Sequence, residues 1–270
     1  MRLNHLLSAP LAGLLACALW SCDTVKEDDR LIYVKPAEVN RSVLIEDFTG
    51  QRCVNCPTAT EEIEKLKAQY GDAIIAVGIH SGPFGHRTTM TSPRLPLCTE
   101  TGDEYYTFWN IEYQPGVKIN RGNPIYNTAE YGTAVREALE KTTPLDLTLH
   151  AAYDAATGAV DITVSATSSE NVSGKLQVWV TEDNIVGAQY MPDGSANNEY
   201  VHQHVFRKSV TADIFGDNFS VTDAATATAS YQTTLEADWV AGNVAIVAIV
   251  SNAADGVLQV AKAGLTTDND

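Results

Sequence analysis

"DFTGQRCVNCP", residues 47–57, places Cys53 and Cys56 two residues apart, after an apolar run and before a helical pattern. In "RSVLIEDF", Val43, Ile45 and Asp47 fall on one face and Leu44, Glu46 and Phe48 on the other, as in a strand. Beyond the cysteines, Ala59, Ile63, Leu66 and Tyr70 recur at helical spacing. Pro57 suits the first helical position, Glu61 and Lys65 lie one turn apart, and Gly71 supplies the stop. "AIIAVGIH" then reads as a strand buried on both faces, which completes a right-handed βαβ unit.

A thiol at the start of a helix feels the free N–H groups and the helix dipole, which favour the thiolate. Arg52 adds positive charge, so Cys53 is the expected nucleophile and Cys56 the resolving thiol. Asp47, buried beneath them, would have a raised pKa and accept a proton from Cys56. Two other readings stand beside this one. The pair would equally form a permanent disulfide in an exported protein. A zinc set of Cys53, Cys56, Cys98 and His80 or His86 lacks a second close-spaced ligand pair, so no metal and no cofactor is expected. Cys98 is the odd thiol, read first as a buried small apolar residue.

The chain of 270 residues carries a formal charge of −16, which argues against nucleic acid as a partner. It opens on "MRLNHLLSAPLAGLLACALWSC", an apolar run too short and too broken by Pro10 and Gly13 for a membrane span. Residues 1–21 read as a signal peptide. The ending "LWSC" resembles a bacterial lipoprotein box, with Cys22 as the lipidated residue in preference to Cys17. Two or more acyl chains on Cys22 would hold the protein on a bilayer. Residues 22–40 read as a polar tether; its "KEDD" is either an acidic surface-export tag or a solvated linker.

The segment 41–143 continues with a Gly/Pro-rich loop, a short helix at "TETGDEYYTFWN", a turn into a strand at "IEYQPGVKINRG" and a helix N-capped by Asn127 with Glu130 in the reciprocal position. From Pro144 the texture changes. "PLDLTLHAAYD", "AVDITVSAT", "KLQVWVTED", "YVHQHVFRKSV", "ATATASYQTTLEA", "NVAIVAIVSN" and "VLQVAKAG" read as about seven strands, and Asp255-Gly256 signals a hairpin. Residues 144–270 are thus expected to be an all-β, immunoglobulin-like sandwich. "VGAQYMPDGSANNEYVHQH" reads as a conspicuous loop. His202 and His204, two apart, are expected on one strand face, and as a pair alone they do not make a metal site.

The stretch "IEDFTGQRCVNCP" resembles the active-site region of thioredoxin-like proteins, and "IEYQPGVKIN" supplies Pro115 where that family has its cis proline. The departures are Arg52 for the usual tryptophan, Val54-Asn55 between the cysteines, and Pro57 after them. The resemblance implies an α/β thioredoxin-like fold for 41–143 and catalytic roles for Cys53, Cys56, Asp47, Pro115 and Arg52. A wider resemblance is carried by the lipoprotein box, "VLIEDFTGQRCVNCP", "IHSGPF", "PGVKINR" and "YVHQHVFRKSV". These resemble the outer-membrane-protein-28 lipoproteins of Bacteroides-type bacteria. That likeness implies an outer-membrane, surface-exposed, lipid-anchored adhesin, receptor or binding module for an unidentified protein or surface ligand, with Cys53 and Cys56 as a disulfide. An anchored thiol–disulfide oxidoreductase is the alternative.

Overall fold

The computed structural model describes residues 41–85 and 96–267, all within the compact unit Glu38–Asp270. Cys17, Cys22, the tether and His86 lie outside the described residues.

The first strand, β1 (Val43–Thr49), is buried along its whole length. It leads into helix α1 (Cys56–Tyr70), which buries Cys56, Pro57, Ala59, Ile63 and Leu66 and ends at Gly71, φ 58°. Lys65 pairs with Glu62, at 2.5 Å, and not with Glu61. Strand β2 (Ile74–His80) then runs parallel to β1 in unbroken register from Val43↔Ile74 to Thr49↔His80. Helix α2 (Glu100–Phe108) is N-capped by the Thr99 hydroxyl, which accepts from the Gly102 N–H. Strand β3 (Gly116–Ile119) pairs antiparallel with β1 on its other edge. Asn127 and Glu130 form the expected capping box, on a single tight turn that feeds helix α3 (Tyr131–Leu139).

Eleven strands follow. They are β4 (Leu145–Asp154), β5 (Ala159–Ser168), β6 (Val172–Glu182), β7 (Ile185–Tyr190), β8 (Ala196–His202), β9 (Val205–Ser209), β10 (Asp217–Val221), β11 (Thr226–Thr234), β12 (Val244–Asn252), β13 (Gly256–Gly264) and the short β14 (Thr266–Thr267). About seven were expected; the excess arises because the 186–204 loop is a hairpin and because short, half-exposed β10 and β14 carry little periodic signal.

One sheet of eight strands runs β13-β12-β6-β9-β2-β1-β3, with β10 on β6. Strands from 41–143 and from 144–270 therefore share a sheet, joined where Gly78 of β2 pairs with Val205 of β9. A second sheet, β11-β5-β4-β14, packs on it through Leu145, Leu147, Val160, Ile162 and Val164 against Leu176, Val178, Val180, Ile246 and Val250. The opposite face of β6 and β12 presents Trp179, Val247 and Ile249 to Leu44, Phe48, Val77, Ile79 and Tyr105. The chain is thus β-rich, with mixed parallel and antiparallel pairing. Alternation in β6 reveals only Leu176, Val178 and Val180, yet Gln177, Trp179 and Thr181 are buried as well, because both faces of this strand are covered.

Candidate functional site

The turn between β1 and α1 is closed by its own backbone. The Cys53 N–H donates to the Gly50 carbonyl at 2.9 Å, and the Cys56 N–H to the Cys53 carbonyl at 3.3 Å. From outside, the Arg52 N–H donates to the Phe84 carbonyl at 3.0 Å. Only glycine fits at position 50, since a Cβ there would meet that carbonyl oxygen at 2.3 Å. Cys53 and Cys56 are joined by a disulfide, Cα–Cα 5.4 Å. Helix α1 begins at Cys56, so Cys53 lies just before it and Pro57 is its second residue. Cys53 is 3 % exposed and Cys56 1 %, while Arg52 and Val54 face solvent.

The cover is the β7–β8 hairpin, a two-stranded sheet of its own. Gln189 donates from Nε2 to the carbonyls of Cys53 (2.9 Å) and Gly50 (3.3 Å). Gln51 donates back to the Ala188 carbonyl at 2.8 Å, and the Tyr190 N–H donates to the Gln51 carbonyl at 2.9 Å. The segment expected to be a loop is therefore the lid of the cysteine turn. Its sequence signal was the Asp193-Gly194 turn pair, flanked by Gln189 and the histidines.

Beneath the disulfide lies a water-sized cavity of about 20 Å³, lined by Asp47, Cys56, Thr60, His80, Gln189, Tyr200, His202 and His204 among others. Asp47 is 1 % exposed, its Oδ1 has no hydrogen-bond partner among the described residues, and burial raises its pKa to about 7. Burial acts oppositely on the bases. It lowers His202 to about 4 and His204 to about 3, and holds His80 well below its ordinary value. All three rings are neutral at pH 7. The His80 and His202 rings meet edge to face, centroids 5.2 Å apart. His202 and His204 do not share a strand face: β8 ends at His202, and His204 turns the chain at φ 44° into β9. They reach one cavity from two elements. Among the described residues, no group of three or more His, Cys, Asp and Glu side chains is disposed to hold a metal ion. Cys98 is outside the disulfide and half-buried, its sulfur packed against Gly85.

Pro115 follows Gln114 through a cis peptide bond. The Gln114 side chain donates to the carbonyls of Thr49 (2.8 Å) and Ser81 (3.0 Å) and accepts from the Phe84 N–H (3.3 Å), which ties the proline turn to the end of β1. A separate concavity of about 920 Å³, lined by Asp72, Thr143, Asp146 and Lys262 among others, contains none of the candidate residues.

The family model for outer membrane protein Omp28 matches residues 102–269, more than half of the chain. The chain belongs to the Omp28 family. Membership places it among outer membrane proteins, and no helix of the described residues is long and apolar enough to cross a membrane. The Omp28 match takes in Pro115, the hairpin and the β-rich half, and begins after Asp47, Cys53 and Cys56. No curated protein matches the chain. Among solved structures, HBP35 of Porphyromonas gingivalis is similar in fold: TM-score 0.65, 15 % identity, over 83 % of this chain and 75 % of that one. A domain of the outer membrane lipoprotein Omp28 from Porphyromonas gingivalis is 21 % identical over 47 % of this chain and 92 % of that one, TM-score 0.34.

Proposed function

We propose that this Omp28-family protein is a surface-exposed lipoprotein of the outer membrane, anchored through Cys22, that acts as a binding module of the adhesin or receptor kind. In this reading 22–40 is the tether and 41–143 a thioredoxin-like domain reused as scaffold. Residues 144–270 form an immunoglobulin-like sandwich that presents the binding loops. The Cys53–Cys56 bridge is a fixed element that sets the turn on which the β7–β8 hairpin rests. The observation that carries it is the burial of the bridge, with Cys53 3 % exposed under a hairpin hydrogen-bonded to its carbonyl. A nucleophile needs access, and a buried disulfide resists exchange. The scaffold assignment is supported by the parallel β1–β2 pair flanking α1, the antiparallel β3 and the cis peptide before Pro115.

The test is trapping in intact cells. A Cys56→Ser chain is expected to collect no mixed disulfides on Cys53, and Cys22→Ala to lose both fatty-acid labelling and the membrane fraction. Partners trapped on Cys53 would overturn the static bridge.

One observation favours the second reading, an anchored thiol–disulfide oxidoreductase. Asp47, held at about 7, lines the same cavity as Cys56 and would take or return the proton of that thiol near neutral pH. Cys53 would then attack a substrate disulfide or receive one. Arg52 would favour its thiolate, and the Pro115 turn would offer backbone to the partner chain.

A further inference from the structure

Among the described residues the β7–β8 hairpin pairs with no other strand, and four of its hydrogen bonds land on residues 50, 51 and 53. Gly50 and Gln51 lead into the four-residue ring, Cys53 to Cys56, that the disulfide closes, and the Cys53 N–H ties them to it by donating to the Gly50 carbonyl. The Cys53 carbonyl is held from both sides: it accepts from Gln189 and from the Cys56 N–H within the bridged ring. At the hairpin base, two residues have left-handed backbone, Asn184 (φ 61°) and His204 (φ 44°). Their neighbours are pinned there. The Asn184 N–H donates to Gln203 at 3.2 Å, and Ile185 packs with Val205 and Leu97. The hairpin is therefore fixed at its base and clasped near its middle, and the clasp stands on the disulfide.

What the clasp covers is unlike a protein interior. Asp47 Oδ1, His80 Nδ1 and His202 Nε2 are buried with no hydrogen-bond partner among the described residues, so desolvation of these groups works against closure. An element closed against such a cost depends on the contacts that hold it. Here those contacts converge on the turn that leads into the Cys53–Cys56 bridge.

We propose that the Cys53–Cys56 disulfide is a redox latch for the β7–β8 hairpin. A dithiol gives up two electrons and two protons and closes to its own disulfide. The Cys53–Cys56 bond breaks, and each cysteine ends as a thiol. The 53–56 segment is then no longer a closed ring, the Cys53 carbonyl moves off Gln189, the Gly50–Gln51 turn bonded to the Cys53 N–H shifts with it, and the hairpin swings on Asn184 and His204. This uncovers the chamber of His80, His202 and Asp47. The latch rests on the reading above in that the bridge fixes the 50–56 turn, and it adds a consequence of breaking the bridge.

The test is amide exchange on the full-length chain before and after reduction with dithiothreitol. The Tyr190 amide, bonded to the Gln51 carbonyl, is expected to exchange at least tenfold faster in the reduced form, with β12 amides unchanged. Gln189→Ala, with the bridge intact, is expected to speed Tyr190 exchange and to raise the rate of reduction by dithiothreitol at least tenfold. The Cys53→Ser/Cys56→Ser chain should match the reduced protein. Equal Tyr190 protection in both redox states overturns the latch and leaves the static-bridge reading standing. Faster exchange throughout β12 on reduction also overturns it, since the bridge would then stabilise the whole fold. Trapped partners on Cys53 bear on the static-bridge reading alone, so the two failures are distinguishable.

Discussion

Asp47 and His202 line one cavity, and burial shifts them in opposite directions. Asp47 rises from 3.8 to about 7. Between those values the folded chain holds a proton that the unfolded chain has released, so stability falls as pH rises from about 4 and levels above about 7. His202 falls from 6.5 to about 4. Its contribution is full above 6.5 and is lost as pH falls through about 4. Over the overlap the two slopes oppose each other. Asp47→Asn is expected to remove the first and leave the second. Urea denaturation should find the variant more stable than the native chain at pH 8, by up to roughly 4 kcal/mol, and no more stable at pH 4. Native-like values at pH 8 would mean that Asp47 is ionised at little cost. The buried carboxylate was legible only through the resemblance to thioredoxin-like proteins, in which an acid six residues before the first cysteine is buried. The histidines were legible only as a pair of metal-binding spacing. Which face each occupies depends on the left-handed turn at His204, and nothing in "VHQHV" marks that turn.

At the scale of elements, sequence periodicity located β1, α1, β2 and the two inward-facing strands β4 and β5 well, because each buries one regular face or both. It failed on β7 and β8. Their inner face carries Gln189, Tyr200 and His202 while Val186 and Val201 face solvent, so the alternation that betrays a strand is inverted. The glycine at 50 belongs to this scale, because it lets the 82–85 turn approach the cysteine turn. Gly50→Ala would drive a Cβ onto the Phe84 carbonyl, and no flexible side chain is there to yield. The variant is expected to lose about 1–3 kcal/mol, the cost of overpacking. It should also lose protection of the Arg52 amide that donates to Phe84. Denaturation and amide exchange read these separately, and a stable variant with the Arg52 amide still protected would show that the turn can move aside.

At the scale of the molecule, the two segments that look independent in sequence share a sheet, a core and the hydrogen bonds of a buried arginine. Arg121 donates to Glu46 of β1 at 3.1 Å, with both side chains under 10 % exposed, and to Ser251 of β12 at 3.2 Å, while its guanidinium lies over the Trp109 and Trp179 rings. Glu46 is pushed upward by burial first and drawn down by Arg121. Arg121→Met strands that carboxylate and is expected to cost about 3–5 kcal/mol. A second change, Glu46→Gln, should restore part of the loss, and unfolding curves of the four chains give the coupling directly. The sequence could not announce this. Trp179, Val247 and Ile249 belong to strands expected in a separate sandwich, but they face Leu44, Phe48 and Ile79 across the shared core. The change of texture at Pro144 marks a change of secondary structure, whereas the burial of these side chains is decided by contacts with the other segment, far away in the chain. A fragment of residues 41–143 alone would expose Leu44, Phe48, Val77, Ile79 and Tyr105 and lose the β9 partner of β2. Each aliphatic or aromatic side chain returned to water costs about 1.5–3 kcal/mol, and domains of this size have about 5–15 kcal/mol in reserve. The fragment is therefore expected to lack fixed tertiary structure, with collapsed amide dispersion in its NMR spectrum, while the full chain unfolds in one transition seen equally by tryptophan fluorescence and circular dichroism. A well-dispersed spectrum from 41–143 would show instead that its sheet, with β1, β2 and β3 alone, carries enough core to stand by itself.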